Sequence, residues 1–235
     1  MTKGLNIQQL NRMATNCKHF IAKTFAHTAA GVGIAAVSAE YPVLFNALAD
    51  SLKSGGWAAL LIFISSFALI FVLPALPVNT PLKYVAAATF AYLIGQLSGP
   101  LVETLDEQNI LARTFFLATG VFVGMVLVGI YDKNNMLGFG PYLLGALIGL
   151  ILAQIILFIL TATTTIQKEQ YFEGRKILSF FGVGLFSLFA AYDTQIVKLH
   201  ARQCKKQGDY VNESLGLFLD FVNLFQYLGV AGMDD

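Results

Sequence analysis

The sequence predicts an all-α integral membrane protein, a bundle of seven transmembrane helices preceded by an amphipathic segment. The first reason is composition, because 56% of the 235 residues are hydrophobic and only 12% are charged, whereas soluble domains carry about 25% charged residues. The second reason is that the hydrophobic residues fall into seven stretches of about 20 residues, the length that an α-helix needs to cross the hydrocarbon core. Too few polar residues remain to cover a water-soluble globule, so we expect residues 1–235 to form a single transmembrane domain.

The N-terminal segment, residues 1–23, is predicted to be an amphipathic helix on the cytosolic surface. Leu5, Leu10, Met13 and Phe20 fall near one helical face, and polar residues occupy much of the rest. Helices of this kind lie in the membrane interface with their apolar face toward the acyl chains. A partly disordered tail before the first span is the alternative.

Seven hydrophobic stretches follow, and the short connections between them leave no room for a soluble domain. Pro74 and Pro77 mark the end of the second stretch, because proline interrupts helical hydrogen bonding. Gly99 and Pro100 predict a bend in the third. The predicted spans cover residues 24–48, 57–76, 84–103, 110–131, 139–161, 177–198 and 214–231.

The distribution of lysine and arginine predicts the orientation of the spans. Ten of these residues fall on the side of the N-terminus and five on the other side, and the cytosolic side normally carries the excess. We therefore expect a multi-pass protein with its N-terminus in the cytosol. The membrane would be an endomembrane (endoplasmic reticulum or Golgi) in a eukaryote, or the inner or plasma membrane in a prokaryote.

The sequence contains no recognisable catalytic or cofactor-binding pattern. His19, His27 and His200 are scattered, and no Cys or carboxylate stands at metal-ligand spacing from His27, which falls within a span. A polar side chain satisfied inside the bundle is the simpler interpretation of His27. The serine-nucleophile, zinc-protease and phosphate-loop motifs are missing, so we expect no enzyme and no cofactor. The net charge of +1 argues against nucleic acid as a partner, which leaves the lipid bilayer.

Two carboxylates in the last third of the chain stand where only apolar residues are expected. Asp193 lies in AAYDTQ and Asp220 in LFLDFVNLF, on either side of a basic loop. If this segment folds as a helical hairpin with its turn near Lys206, the two acids reach similar depth on neighbouring antiparallel helices. A charge at that depth costs about 2.5–3.5 kcal/mol on insertion scales, so a pair of acids there requires a reason.

The chemistry of such a pair supports three interpretations. Two carboxyls in a low-dielectric site cannot both ionise cheaply, so near neutral pH they could share one proton and hold the two helices together. Once ionised, they would be hard oxygen ligands for transient Ca²⁺ binding, with further oxygens from nearby polar residues. A permanently protonated pair that only joins two helices is the structural alternative, and an aspartyl intramembrane protease is disfavoured because neither acid has an adjacent glycine. The nearby polar residues are Tyr192, Thr194, Gln195 and Asn223.

An ordered set of motifs resembles the transmembrane BAX inhibitor motif family. The set comprises YDTQ at 192–195, LFLDFVNLF at 217–225, the GDY at 208–210 between them, and FAYLIGQLSGPLVE at 90–103. The resemblance implies a seven-span fold in which the last helix is surrounded by the others. It also implies a pH-sensitive Ca²⁺ leak gated by a carboxylate pair, which maps onto Asp193 and Asp220.

The resemblance implies a role in lowering stored Ca²⁺ and in modulating cell death, with membrane-protein partners in that process. Some bacterial relatives carry an arginine in the second span that binds the acid pair, whereas residues 57–76 contain no basic residue. Ca²⁺ would be a permeant ion and not a cofactor. Two other functions stay open, a non-conducting regulator that acts through protein contacts and a proton-coupled carrier.

Overall fold

The computed structural model describes residues 19–78, 80–132, 136–163, 167–203 and 208–233. Within these ranges the chain forms eight α-helices and one short 3₁₀ helix, Met136–Phe139, and it contains no strand. Most of the segment predicted to be an N-terminal amphipathic helix lies outside the described residues. The α-helices are α1 Phe20–Glu40, α2 Val43–Leu52, α3 Gly55–Ala75, α4 Pro81–Glu107, α5 Leu111–Tyr131, α6 Gly140–Ala162, α7 Lys168–Gln203 and α8 Tyr210–Gly232.

Seven of the helical segments in the described ranges are long and apolar enough to cross a membrane. They correspond in order to the seven predicted spans, and the prediction of an all-α membrane protein is confirmed. The first helix ends at Glu40, ahead of Pro42, and the rest of the predicted span 24–48 enters the short helix α2. Most of the exposed large hydrophobic side chains, such as Phe63 and Phe158, lie on these helices, as expected where lipid replaces water around the protein.

Prolines mark several helix boundaries in the expected way. Pro81 is the first residue of α4 and Pro141 lies in the first turn of α6, where the missing N–H would have no partner in the helix anyway. Pro100 is accommodated inside α4, where the sequence predicts a bend.

The helices form two compact units. The first consists of the described residues within 1–99 and 196–218, and the second of the described residues within 100–195 and 219–235.

In the first unit, a buried amide holds the junction between α1 and α2. Gln96 of α4 is fully buried; its Nε2 donates to the Ser38 carbonyl at 2.8 Å and its Oε1 accepts from the Phe45 amide at 3.0 Å. Gly95, its neighbour, lies against the backbone of Ala35, where a larger side chain would collide with α1. The backbone groups on either side of Pro42, where the helix is interrupted, therefore find hydrogen-bond partners on α4, as buried backbone groups require.

In the second unit, aromatic rings of α8 pack against α5 and α7. The ring of Phe221 lies edge-on to those of Phe115 and Phe122, with centroids 5.8 and 5.6 Å away. Further along, the ring of Tyr227 stacks on Phe186 of α7 at 5.6 Å. Offset and edge-on arrangements of this kind are the favourable ones for aromatic pairs, and they fix how α8 is rotated against its neighbours.

Candidate functional site

The two acidic residues singled out by the sequence are separated by equal numbers of residues from the C-terminal end of α7 and from the N-terminal end of α8. Asp193 is ten residues before the end of α7 at Gln203, and Asp220 is ten residues after the start of α8 at Tyr210. At 1.5 Å per residue this is about 15 Å along each helix. The two carboxylates therefore lie at a similar depth on the two helices.

The packing of the second unit brings the two acids together. Phe186 of α7 stacks on Tyr227 of α8. Asp193 lies seven residues after Phe186, and Asp220 lies seven residues before Tyr227. A seven-residue interval returns to the same face of a packed helix. Asp193 and Asp220 are accordingly close enough for their charges to interact directly.

The two carboxyls have different access to the surroundings. The side chain of Asp220 is buried, with 4% of the residue exposed, whereas Asp193 is only half-buried. The Oδ2 atom of Asp220 is buried and receives no hydrogen bond from any described residue. A buried carboxyl oxygen without a donor is costly, and a proton or a cation at this point would remove the cost.

Two of the four supporting residues predicted from the sequence make their hydrogen bonds within their own helices. The Thr194 hydroxyl donates to the Ala190 carbonyl at 2.7 Å, and Nδ2 of Asn223 donates to the Leu219 carbonyl at 2.8 Å. Thr194 also packs against Gly129 of α5, where an added Cβ would lie 2.7 Å from the Thr194 Cβ. Their role as further oxygen ligands stays a prediction.

The other two supporting residues reach the start of α6. Gln195 accepts a hydrogen bond through Oε1 from the Met136 amide at 2.9 Å, and Tyr192 lies against Gly140, where an added Cβ would be 3.0 Å from the Tyr192 Cζ. Both contacts join the α7 segment around Asp193 to the 3₁₀ turn and the first residue of α6. Gln195 and Tyr192 thus position this part of α7, and their direct contact with a permeant ion stays a prediction.

Comparison with known proteins then assigns the chain to a family. The sequence profile described as Inhibitor of apoptosis-promoting Bax1, Bax1-I, matches residues 17–230. The chain belongs to this Bax inhibitor-like family. The match covers both acids, all seven long apolar helices and the motifs on which the resemblance was based.

Relatives of this Bax inhibitor-like protein occur in bacteria and in yeast. It is 27% identical to the protein named Bax inhibitor 1 of Schizosaccharomyces pombe over 215 residues, which cover 91% of this chain and 76% of the relative. It is also 27% identical to the inner membrane protein YbhL of Escherichia coli K12 over 217 residues, 89% and 88% of the two chains. An uncharacterized protein of Caulobacter vibrioides is 31% identical over 147 residues, 60% of this chain but only 54% of that relative. The protein is therefore a multi-pass membrane protein by its family as well as by its helices.

One polar contact of the first unit was not predicted from the sequence. Lys83, which directly precedes the predicted span 84–103, is fully buried in the third position of α4, and its Nζ lies 2.6 Å from Oδ2 of Asp209 and 3.3 Å from the Leu76 carbonyl. Asp209 also accepts a hydrogen bond from the Asn212 amide at 3.3 Å, as the cap of α8. The signal available in the sequence was an Asp directly before an apolar helix, which is typical of an N-cap.

Among the described residues, no group of three or more His, Cys, Asp or Glu side chains is placed to hold a metal ion. The candidate site therefore consists of two carboxyls on two helices. Two carboxylates provide at most four oxygens, whereas Ca²⁺ takes six to eight at roughly 2.3–2.6 Å. Any cation at this pair would keep several waters or other ligands.

Proposed function

We propose that this Bax inhibitor-like protein is a pH-sensitive Ca²⁺ leak channel in which protonation of Asp193 and Asp220 controls the passage of the ion. The observation that carries the proposal is the juxtaposition of these two acids on α7 and α8, with Asp220 buried and its Oδ2 without a donor among the described residues. In this family, the leak would lower stored Ca²⁺ and thereby modulate cell death.

The closed state follows from the cost of two charges in a low-dielectric site. With one proton shared by the pair, a single negative charge remains and a hydrogen bond can join α7 to α8. With no proton, two like charges repel each other at short range, and the hydrogen bond is lost. The two helix segments then move apart or admit a cation, and either event opens a polar path past the acids.

The open state must also let the ion leave. Conduction requires a site that is favourable enough to enter and weak enough to leave. A pair of carboxylates that replaces only part of the hydration shell of Ca²⁺ meets both requirements. The half-buried Asp193 is the acid that an arriving ion can reach first, and Asp220 is the second.

The test is Ca²⁺ flux from liposomes containing the purified protein, measured between pH 6 and 8 with an enclosed fluorescent indicator. The variants are Asp193→Asn and Asp220→Asn, which keep the size of each side chain and remove its titration. Asp106→Asn is the matched control, because Asp106 lies at the exposed end of α4 in the same unit. We expect the pH dependence of the flux to flatten in both test variants and to stay as in the wild type in Asp106→Asn.

Three results would contradict the proposal. Wild-type flux at every pH in both Asp193→Asn and Asp220→Asn would remove the pair from the mechanism. Absence of Ca²⁺ flux through the wild-type protein, combined with an effect on cell survival when it is expressed, would favour a non-conducting regulator. Saturable uptake driven by a proton gradient would instead identify a carrier.

A further inference from the structure

The first unit contains an apolar cavity that the proposed function does not use. Its volume is about 190 Å³, and it lies between α1, α4 and the first three turns of α8. A cavity of about 150 Å³ lined by apolar side chains stays dry and accepts benzene, so this one has room for several methylene groups. Its walls are mostly small side chains, and its floor carries two aromatic rings, Phe90 and Phe218.

The room exists because small residues face one another from two helices. Ala30 and Gly31 line the cavity from α1, and Ala87, Ala88 and Ala91 line it from α4. Ala30 is also exposed on the outer surface of the unit, as is the rim residue Tyr84. The cavity therefore opens sideways, towards the region that lipid occupies around a transmembrane protein.

The rim of the cavity carries a cation and a histidine among aromatic rings. The His27 ring stacks between Tyr84 and Tyr210, with centroids 5.6 and 6.2 Å away. The Nζ of Lys23, one turn earlier on α1, lies 4.9 Å from the centroid of the same Tyr210 ring. Nδ1 of His27 is 2.7 Å from the Lys23 carbonyl, and because a carbonyl only accepts, this nitrogen carries the proton and Nε2 is the second polar atom of the ring.

The charge of this rim is positive. Of the two carboxylates in this part of α8, Asp209 pairs with Lys83 at 2.6 Å and Glu213 with His200 at 2.8 Å. No described carboxylate forms an ion pair with Lys23. An anionic group at the rim would therefore meet a cation that no carboxylate of the described residues pairs with.

The rim and the floor lie at different membrane depths. Lys23 and Tyr84 are each the fourth residue of their helix, and Tyr210 is the first residue of α8. Tyrosine and lysine at helix ends are typical of the headgroup level. Ala91 lies seven residues beyond Tyr84, or about 10 Å deeper, among hydrocarbon.

The geometry points to a binding site for one anionic phospholipid of the surrounding bilayer, with part of one acyl chain in the cavity and the phosphate beside the ammonium group of Lys23. The polar headgroup of such a lipid would meet the rim at the membrane surface. Its acyl chain would reach the aromatic floor deeper in the hydrocarbon. The site shares no residue with the acid pair, so it stands or falls independently of the proposed Ca²⁺ leak.

The test uses full-length protein in nanodiscs of phosphatidylcholine that contain a small fraction of a phosphatidylglycerol probe with a photoreactive diazirine in one acyl chain. After illumination, labelled peptides are identified by mass spectrometry. Labelling of the cavity segments, residues 30–34 and 87–91, is expressed relative to labelling of residues 151–156 on the lipid-facing side of α6, which reports ordinary contact with the bilayer. A phosphatidylcholine probe with the same chain measures the preference for negative charge.

Two variants with matched controls decide the outcome. Ala30→Phe fills the cavity, whereas Ala29→Phe adds the same ring at an exposed neighbouring position that does not line it. A phenyl ring at position 30 occupies the space that the acyl chain would take, so the relative labelling of the cavity in Ala30→Phe should fall to the level of residues 151–156. Lys23→Gln should lower the preference for the anionic probe about fivefold, since a lysine near the surface contributes about 1 kcal/mol, and Lys53→Gln should not.

The inference is overturned if Ala30→Phe labels the cavity segments as strongly as Ala29→Phe does. It is also overturned if the phosphatidylcholine probe labels them as strongly as the phosphatidylglycerol probe in the wild type. Lys23 is exposed, so its replacement tests the charge requirement even if Ala30→Phe reduces folding. An unchanged preference for the anionic probe in Lys23→Gln would exclude the assigned phosphate position.

Discussion

The buried ion pair of the first unit should respond very differently to the loss of its two partners. Lys83 is fully buried and is held by Asp209 at 2.6 Å and by the Leu76 carbonyl at 3.3 Å, whereas the Asp209 side chain is 21% exposed. Asp209→Asn keeps an oxygen that can cap α8 through the Asn212 amide but removes the charge opposite Lys83. The lysine is then a buried cation with one neutral partner.

The expected losses in the free energy of unfolding depend on which of the two groups stays in place without its partner. Leaving a buried charge without its partner costs about 3–5 kcal/mol, and we expect Asp209→Asn to lie near the lower end because the Leu76 carbonyl remains. Lys83→Met fills a similar volume and leaves Asp209 with access to solvent and with its cap hydrogen bond, so we expect a loss of about 1 kcal/mol. In the double variant neither charge remains, and the loss should be smaller than in Asp209→Asn alone.

The assay is unfolding of the purified protein in mixed micelles with increasing dodecyl sulfate, followed by circular dichroism for the wild type, both single variants and the double variant. Asp50→Asn, at an exposed position of α2, is the control for loss of a carboxylate charge. If the two single variants lose equal amounts of free energy and these amounts add in the double variant, the buried pair is not coupled and the reasoning is refuted.

Two further predictions concern polar contacts between helices. Gln96→Leu should lower the free energy of unfolding by about 2–4 kcal/mol, because the half-buried Phe45 amide and the buried Ser38 carbonyl each lose a partner. Dodecyl sulfate unfolding measures this, with exposed Gln108→Leu as the control, and equal stability of the two variants would contradict it. Tyr227→Phe should lower the free energy of unfolding by only about 1 kcal/mol. The change removes the 2.7 Å hydrogen bond from Gln154 but keeps the ring stacked on Phe186. A larger loss than that of Gln96→Leu in the same assay would contradict this and show that the hydroxyl has another role.

The positions of the acids could be predicted from the sequence to a useful degree. Depth along a helix is a residue count multiplied by a constant rise, so equal separation of Asp193 and Asp220 from one turn predicts equal depth without any knowledge of packing. The structure brings these two residues close enough to interact. The four neighbouring polar residues were chosen by proximity in sequence alone, and their described contacts lead instead to their own helices, to α5 and to the start of α6.

The sequence by itself determined the class of the protein, the number and order of its long apolar helices, and the equal separation of its two acids from the connection between α7 and α8. These properties depend on composition and on local helix geometry, which each segment carries without its neighbours. Only the tertiary structure decided that Lys83 is buried, that α1 stops where Gln96 binds its last turn, and that small residues of α1 and α4 leave a cavity. The reason is that the rotation of a helix, and hence what each side chain touches, is set by packing against the other helices and not by the helix's own residues.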